Sequence, residues 1–156
     1  MTDVPGPSRA VTRRLALTAR ILLAPYAIVV LLLTWLPAEE AGKVTGVVAV
    51  LARLVATWGV PVDAAYAVFE FSANIALFTP LGALLAVGWR RMPAWAIVAM
   101  GCVASTVIEL VQLAIPSRFS TLSDVIANTL GTAVGLVIAR AILRAVSRGR
   151  AVDSGS

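Results

Sequence analysis

The sequence predicts an all-α fold: a polytopic membrane helical bundle of four transmembrane helices plus one extracytoplasmic interfacial helix. Three observations carry this prediction. The chain has 156 residues, 60% hydrophobic and only 13% charged, where a soluble domain carries ~25% charged residues. Four apolar stretches reach the ~20 residues that cross a bilayer. The basic residues gather at the ends of those stretches and share one face. A net charge of +5 in a soluble chain would suggest nucleic acid. Arginines that flank apolar runs instead follow the positive-inside pattern, so no nucleic-acid partner is expected. The chain has no histidine, which excludes Ser-His-Asp triads, His-based acid–base catalysis and His metal ligands. Its one cysteine, Cys102, lies in an apolar run and reads as a small buried hydrophobe.

The first span is expected over residues 15–37, after a cytoplasmic tail of residues 1–14. Its N-terminal side resembles a signal peptide. The apolar core, however, runs into Trp35-Leu36-Pro37-Ala38-Glu39, with no A-x-A-like cleavage pattern, so an uncleaved anchor is the better reading. Arg20 is expected to snorkel. Residues 44–60 are apolar but short and carry Arg53. The second span is expected over 70–89, with Pro61 ending the surface helix and Asp63 capping an extended start. The third covers 93–115, with Pro93 in its first turn and Pro116 at its end. The fourth covers 124–144, started by the weak capping pattern Thr121-x-x-Asp124. Residues 149–156 read as a disordered tail. Pro25 and Pro80 fall inside spans, where neighbouring helices re-satisfy the freed carbonyls. Gly131-x-x-x-Gly135 permits close helix approach.

Charge decides the role of residues 44–60. With four spans, Arg9, Arg13, Arg14, Arg20, Arg90, Arg91, Arg140, Arg144, Arg148 and Arg150 share one face. Only Lys43, Arg53 and Arg118 lie on the other. A fifth span would abolish the bias. The positive-inside rule therefore gives four spans, both termini cytoplasmic, and a helix at 44–60 lying on the outer surface. Val47, Leu51, Leu54 and Trp58 would dip into lipid. The tryptophans 35, 58, 89 and 95 read as interfacial anchors.

Polar residues inside the spans converge on one level. The second span carries Glu70 and Asn74, the third Ser105, Glu109 and Gln112, and the fourth Asp124 and Asn128. Each set repeats every three or four residues and so forms a stripe. Counting outward from the cytoplasmic ends puts all three stripes in the outer layer of the bilayer. At ~1.5 Å per residue, Asn74 and Asn128 lie roughly 6 Å below Glu70 and Asp124. Arg118 lies in the short loop above. Ionisable groups at this depth face a cavity or a partner, and Arg118 is the natural partner for Glu109. Each residue also has a plainer role: Glu70 and Asp124 as helix-start acids, the amides as interhelical glue, and Glu109–Arg118 as a structural bridge.

Three blocks here resemble the signatures of the VanZ-like membrane proteins. The first is Glu70-x-x-x-Asn74-Ile-x-Leu-Phe78-x-Pro80-Leu-Gly82. The second is Ser105-x-x-Ile-Glu109-Leu-x-Gln112. The third is Arg118-x-x-x-x-x-Asp124-Val-Ile-x-Asn128-Thr-Leu-Gly131-x-x-x-Gly135. They stand in the right order over residues 70–135, whereas the N-terminal third matches only in general character. The resemblance implies a small multi-pass protein of the bacterial plasma membrane. It also implies a link to low-level resistance to the glycopeptide teicoplanin, the role associated with the family's namesake.

The leading expectation is action at the outer leaflet on a lipid headgroup, a lipid-linked glycan precursor or an acylated amphiphilic antibiotic. Membrane lipids and such an amphiphile are the expected partners. Arg118 would pair with a phosphate or carboxylate, and Glu109 is the candidate acid or base. Asp124 and Glu70 would orient the ligand or hold a divalent cation, which an all-oxygen set accepts without requiring it. Asn74, Gln112, Asn128 and Ser105 would supply ligand hydrogen bonds. The alternative is a non-catalytic packing or docking module. An ion-coupled transporter fits worst, because no charge chain crosses the bilayer.

Overall fold

The computed structural model describes residues 9–35, 38–115 and 121–153. Among them are five helices and no strand: α1 Arg9–Trp35, α2 Ala38–Ala56, α3 Val62–Gly88, α4 Ala94–Gln112 and α5 Leu122–Asp153. Four are long and apolar enough to cross a membrane: Val11–Trp35, Val62–Gly88, Ala94–Gln112 and Leu122–Ser147. Their outward faces carry residues such as Ile21, Leu32, Val103, Leu110, Val137 and Ile142, all exposed. A soluble protein of this size would bury such side chains. In a bilayer they meet acyl chains, which are as apolar as they are.

Helix α3 is the hub and packs against all four others, most extensively against α5. The α3–α5 contact is made backbone to backbone. A methyl group added at Gly131 would overlap the Ile75 carbonyl, one at Gly135 the Thr79 carbonyl oxygen, and one at Gly82 the Thr132 carbonyl. The Gly131/Gly135 stripe is thus the α3 contact face. Gly101 of α4 makes room for the Thr132 side chain, so three helices meet at this one fully buried residue. Apolar side chains fill the space on either side. Val30, Phe78 and Ile108 form one cluster, and Leu85, Ala86, Ile97, Leu136 and Ala139 another.

Several boundaries differ from the sequence reading. Helix α1 starts at Arg9 and α3 at Val62, each earlier than the apolar run. Arginine and alanine are strong helix formers and carry the helix beyond the hydrocarbon. Pro61 is the N-cap of α3, and Asp63 lies inside the first turn with no side-chain cap bond. The turn before α3 is made at Gly59, whose φ of 86° belongs to the left-handed region that glycine adopts without strain. Pro93 is the N-cap of α4 rather than part of its first turn. Helix α5 runs on to Asp153, past residue 149, where the sequence places an irregular tail. Gly149 alone, at ~1 kcal/mol, does not stop it. Helix α2 packs on α3 through Ala52, which is fully buried. Val47, Leu51, Leu54 and Trp58 point away and are exposed.

Local bonds fix the helix ends and the proline turns. The Arg20 guanidinium donates from Nε to the Gly88 carbonyl at 2.9 Å and sits 4.9 Å from the centre of the Trp89 ring. A snorkelling arginine thereby closes the C-terminal end of α3. The Tyr26 hydroxyl donates to the Leu77 carbonyl, in the turn that Pro80 interrupts.

Candidate functional site

The α5 N-terminus is built around Thr121. Its hydroxyl accepts from the Asp124 N–H at 3.2 Å and donates to Asp124 Oδ2 at 2.8 Å. This follows the Thr121-x-x-Asp124 pattern with one change. In a capping box the acid three residues on takes the N–H of the cap residue. Here that N–H goes to Glu109 Oε2 of α4, at 3.0 Å. Asp124 Oδ1 is then left for α3, and it accepts from Asn74 Nδ2 at 2.6 Å. Three helices are joined through one cap, with two carboxylates placed where the helix dipole favours negative charge.

Glu109 is buried and Asp124 half-buried. One turn deeper, Ser105 and Asn128 are both buried, and Asn128 Nδ2 donates to Ser105 Oγ at 2.8 Å. Asn128 Oδ1 has no partner among the described residues. Turning the amide over would let Ser105 donate to the oxygen and would orphan the nitrogen instead. A buried orphan costs about 1–3 kcal/mol. This is therefore the point in the layer where a water or ligand group gains most.

The sequence-derived candidates divide into groups. Glu109, Asp124 and Asn74 join through Thr121, and Asn128 and Ser105 form the pair beneath. Depth counting puts Asn74 level with Asn128, but the structure joins it to Asp124, one turn higher. The close α3–α5 approach fixes that register. Gln112 is buried, yet its Nε2 donates to the Thr34 carbonyl of α1 at 2.8 Å. Its amide nitrogen thus ties α4 to α1. Glu70 stands one turn before Asn74 on an exposed face of α3. Arg118 lies outside the described residues. Among those described, no three acidic or cysteine side chains come together as a metal site. Thr121 is the residue that the sequence reading leaves out of the site. Its capping pattern was a signal for it, but that pattern marks only a helix start.

The opposite end of the bundle is basic. Arg13, Arg14, Arg20, Arg90, Arg91, Arg140 and Arg144 all lie there. A four-span bundle with acids and amides at one end and arginines at the other defines a small polytopic helical membrane protein with a single polarised axis.

A more particular assignment comes from comparison with protein families. The family model described as VanZ/LLP1 matches residues 23–144, and the chain belongs to that family. The matched region runs from α1 into α5 and contains every residue of the polar layer. Comparison with curated proteins and with solved structures finds no match.

Proposed function

We propose that this VanZ-family protein spans the bacterial plasma membrane with both termini cytoplasmic and acts at the outer leaflet on a cell-envelope component. The substrate class is an amphiphile with an apolar tail and a polar, anionic head: a lipid-linked glycan precursor, a lipid headgroup or an acylated glycopeptide. Through such a ligand the protein contributes to teicoplanin-type resistance. The observation that carries this reading is the joining of Glu109, Thr121, Asp124 and Asn74 at the arginine-poor end of the bundle. A ligand bound there has its head among carboxylates and amides and its tail beside the lipid-facing helices. Arg118, six residues before Asp124, supplies the guanidinium that pairs with a phosphate or carboxylate. The unpaired Oδ1 of Asn128 can accept from a hydroxyl or amide N–H of the head below.

A second reading has its own support. Asn74–Asp124, Gln112–Thr34 and Asn128–Ser105 pair within the protein, as a layer that merely packs the bundle would. Native mass spectrometry of the detergent-extracted protein separates the two. A specific co-purifying lipid or precursor is expected, lost in Arg118→Ala while the variant stays folded. No such adduct, or one that survives the substitution, contradicts the ligand-binding reading.

A further inference from the structure

The arginine-rich end of the bundle carries a cleft that the proposed function does not use. It lies between the α3–α4 turn and the later turns of α5 and encloses about 390 Å³. Arg90, Arg140, Arg144 and Ser147 line it, with Met92 and Leu143 as apolar neighbours. We propose that this cleft binds the phosphate of an anionic phospholipid drawn from the leaflet at the arginine end.

The charge is one-sided. Three guanidiniums face the cleft, and among the described residues no carboxylate lines it. Asp63, Glu70, Glu109 and Asp124 all lie toward the far ends of their helices, and Asp153, the last residue of α5, is six residues beyond Ser147. Arg140 is held in place, because its Nη2 donates to the Met92 carbonyl at 2.7 Å. An arginine carries five N–H donors, so most of this guanidinium is left for a ligand whose position it fixes in advance. Planar guanidiniums bind phosphate oxygens in pairs, and a fixed one loses less freedom on binding.

The depth also fits. Arg144 is twenty residues beyond Asp124 on the same helix, or ~30 Å at ~1.5 Å per residue, the thickness of the hydrocarbon core. Arg140 is one turn further in. Arg144 therefore stands at the edge of the hydrocarbon and Arg140 one turn inside it, so both reach the lipid phosphates by extending outward, with Met92 and Leu143 beside the first acyl carbons. Basic pockets between transmembrane helices recognise anionic headgroups by this chemistry.

The competing explanation is that these arginines only set topology. Arg91 separates the two, because it lies in the same turn but lines only the adjoining cleft, with Arg13, Arg20 and Trp89; the two clefts share Arg90 and Met92. The test is native mass spectrometry of the full chain in detergent, titrated with phosphatidylglycerol or phosphatidylcholine. Phosphatidylglycerol is expected to be retained preferentially. Its retention should fall roughly fivefold in Arg144→Gln, and also in Arg140→Gln, but not in Arg91→Gln. Arg144→Gln leaves the Arg140–Met92 bond in place, so it keeps the test valid if Arg140→Gln misfolds. An equal fall in Arg91→Gln overturns the proposal, as does the absence of any preference for the anionic lipid. Competition by free glycerol 3-phosphate at the concentration of the lipid would assign the cleft to a soluble phosphate and also overturn it.

Discussion

Gly135→Leu is expected to abolish the folded bundle. Even a methyl group at this position would overlap the Thr79 carbonyl oxygen and crowd the Ala83 nitrogen. Both belong to the α3 backbone and cannot swing aside as a flexible side chain would. The helices must separate, and the Thr132 side chain then leaves its niche at Gly101. Overpacking a core costs about 1–3 kcal/mol when side chains can adjust. Here the backbone must yield, so a loss above about 3 kcal/mol is expected, out of the ~5–15 kcal/mol typical of a domain. The measurement is thermal unfolding in detergent, read by the fraction remaining monodisperse. Gly46→Leu is the control, because nothing lies within 4 Å of a Cβ at that position. A folded Gly135→Leu protein with an unchanged melting temperature would refute the close α3–α5 packing.

Glu109→Gln is expected to do the reverse, sparing the fold and removing the activity. The glutamine carbonyl oxygen can still accept the Thr121 N–H that Glu109 Oε2 accepts. The tie to Thr121 therefore survives, and the variant should still fold. The negative charge, and with it any proton-transfer capacity, is gone. Any turnover of the amphiphile that uses this carboxylate as acid or base should fall at least about 100-fold, the scale for loss of such a group, while binding of the anionic head through Arg118 persists. Unfolding of Glu109→Gln would favour the packing reading. Undiminished turnover would remove Glu109 from the site.

The architecture was legible in the sequence because bilayers impose few solutions. Apolar length gave the four long helices, arginine placement gave the polarised axis, and three- and four-residue spacing put Glu109 with Ser105 and Asp124 with Asn128. What spacing does not carry is the register between helices. The partner of Asn74 depends on where α3 slides against α5, which backbone contacts at Gly82, Gly131 and Gly135 decide. The same limit applies to Gln112. Its stripe on α4 was readable, but the Thr34 carbonyl that it meets belongs to a helix 78 residues away in sequence. Glu70 and Asn74 shared a predicted stripe, yet one is exposed and the other half-buried. Thr121 was seen as a cap and missed as a junction, because the Glu109 carboxylate that takes its N–H comes from another helix.

The claim on which the functional reading stands is that the Glu109–Thr121–Asp124–Asn74 layer faces the outside of the cell and the arginines the inside. Single cysteines at Thr57 and Ser147, in a Cys102→Ser background, test this in intact cells with a membrane-impermeant maleimide. Thr57 is exposed in the turn before α3, and Ser147 is exposed at the arginine end of α5. Labelling of Thr57→Cys in intact cells, with Ser147→Cys labelled only after permeabilisation, is the predicted result. The opposite pattern would put the polar layer at the cytoplasmic leaflet, beyond reach of any envelope ligand, and would contradict the account.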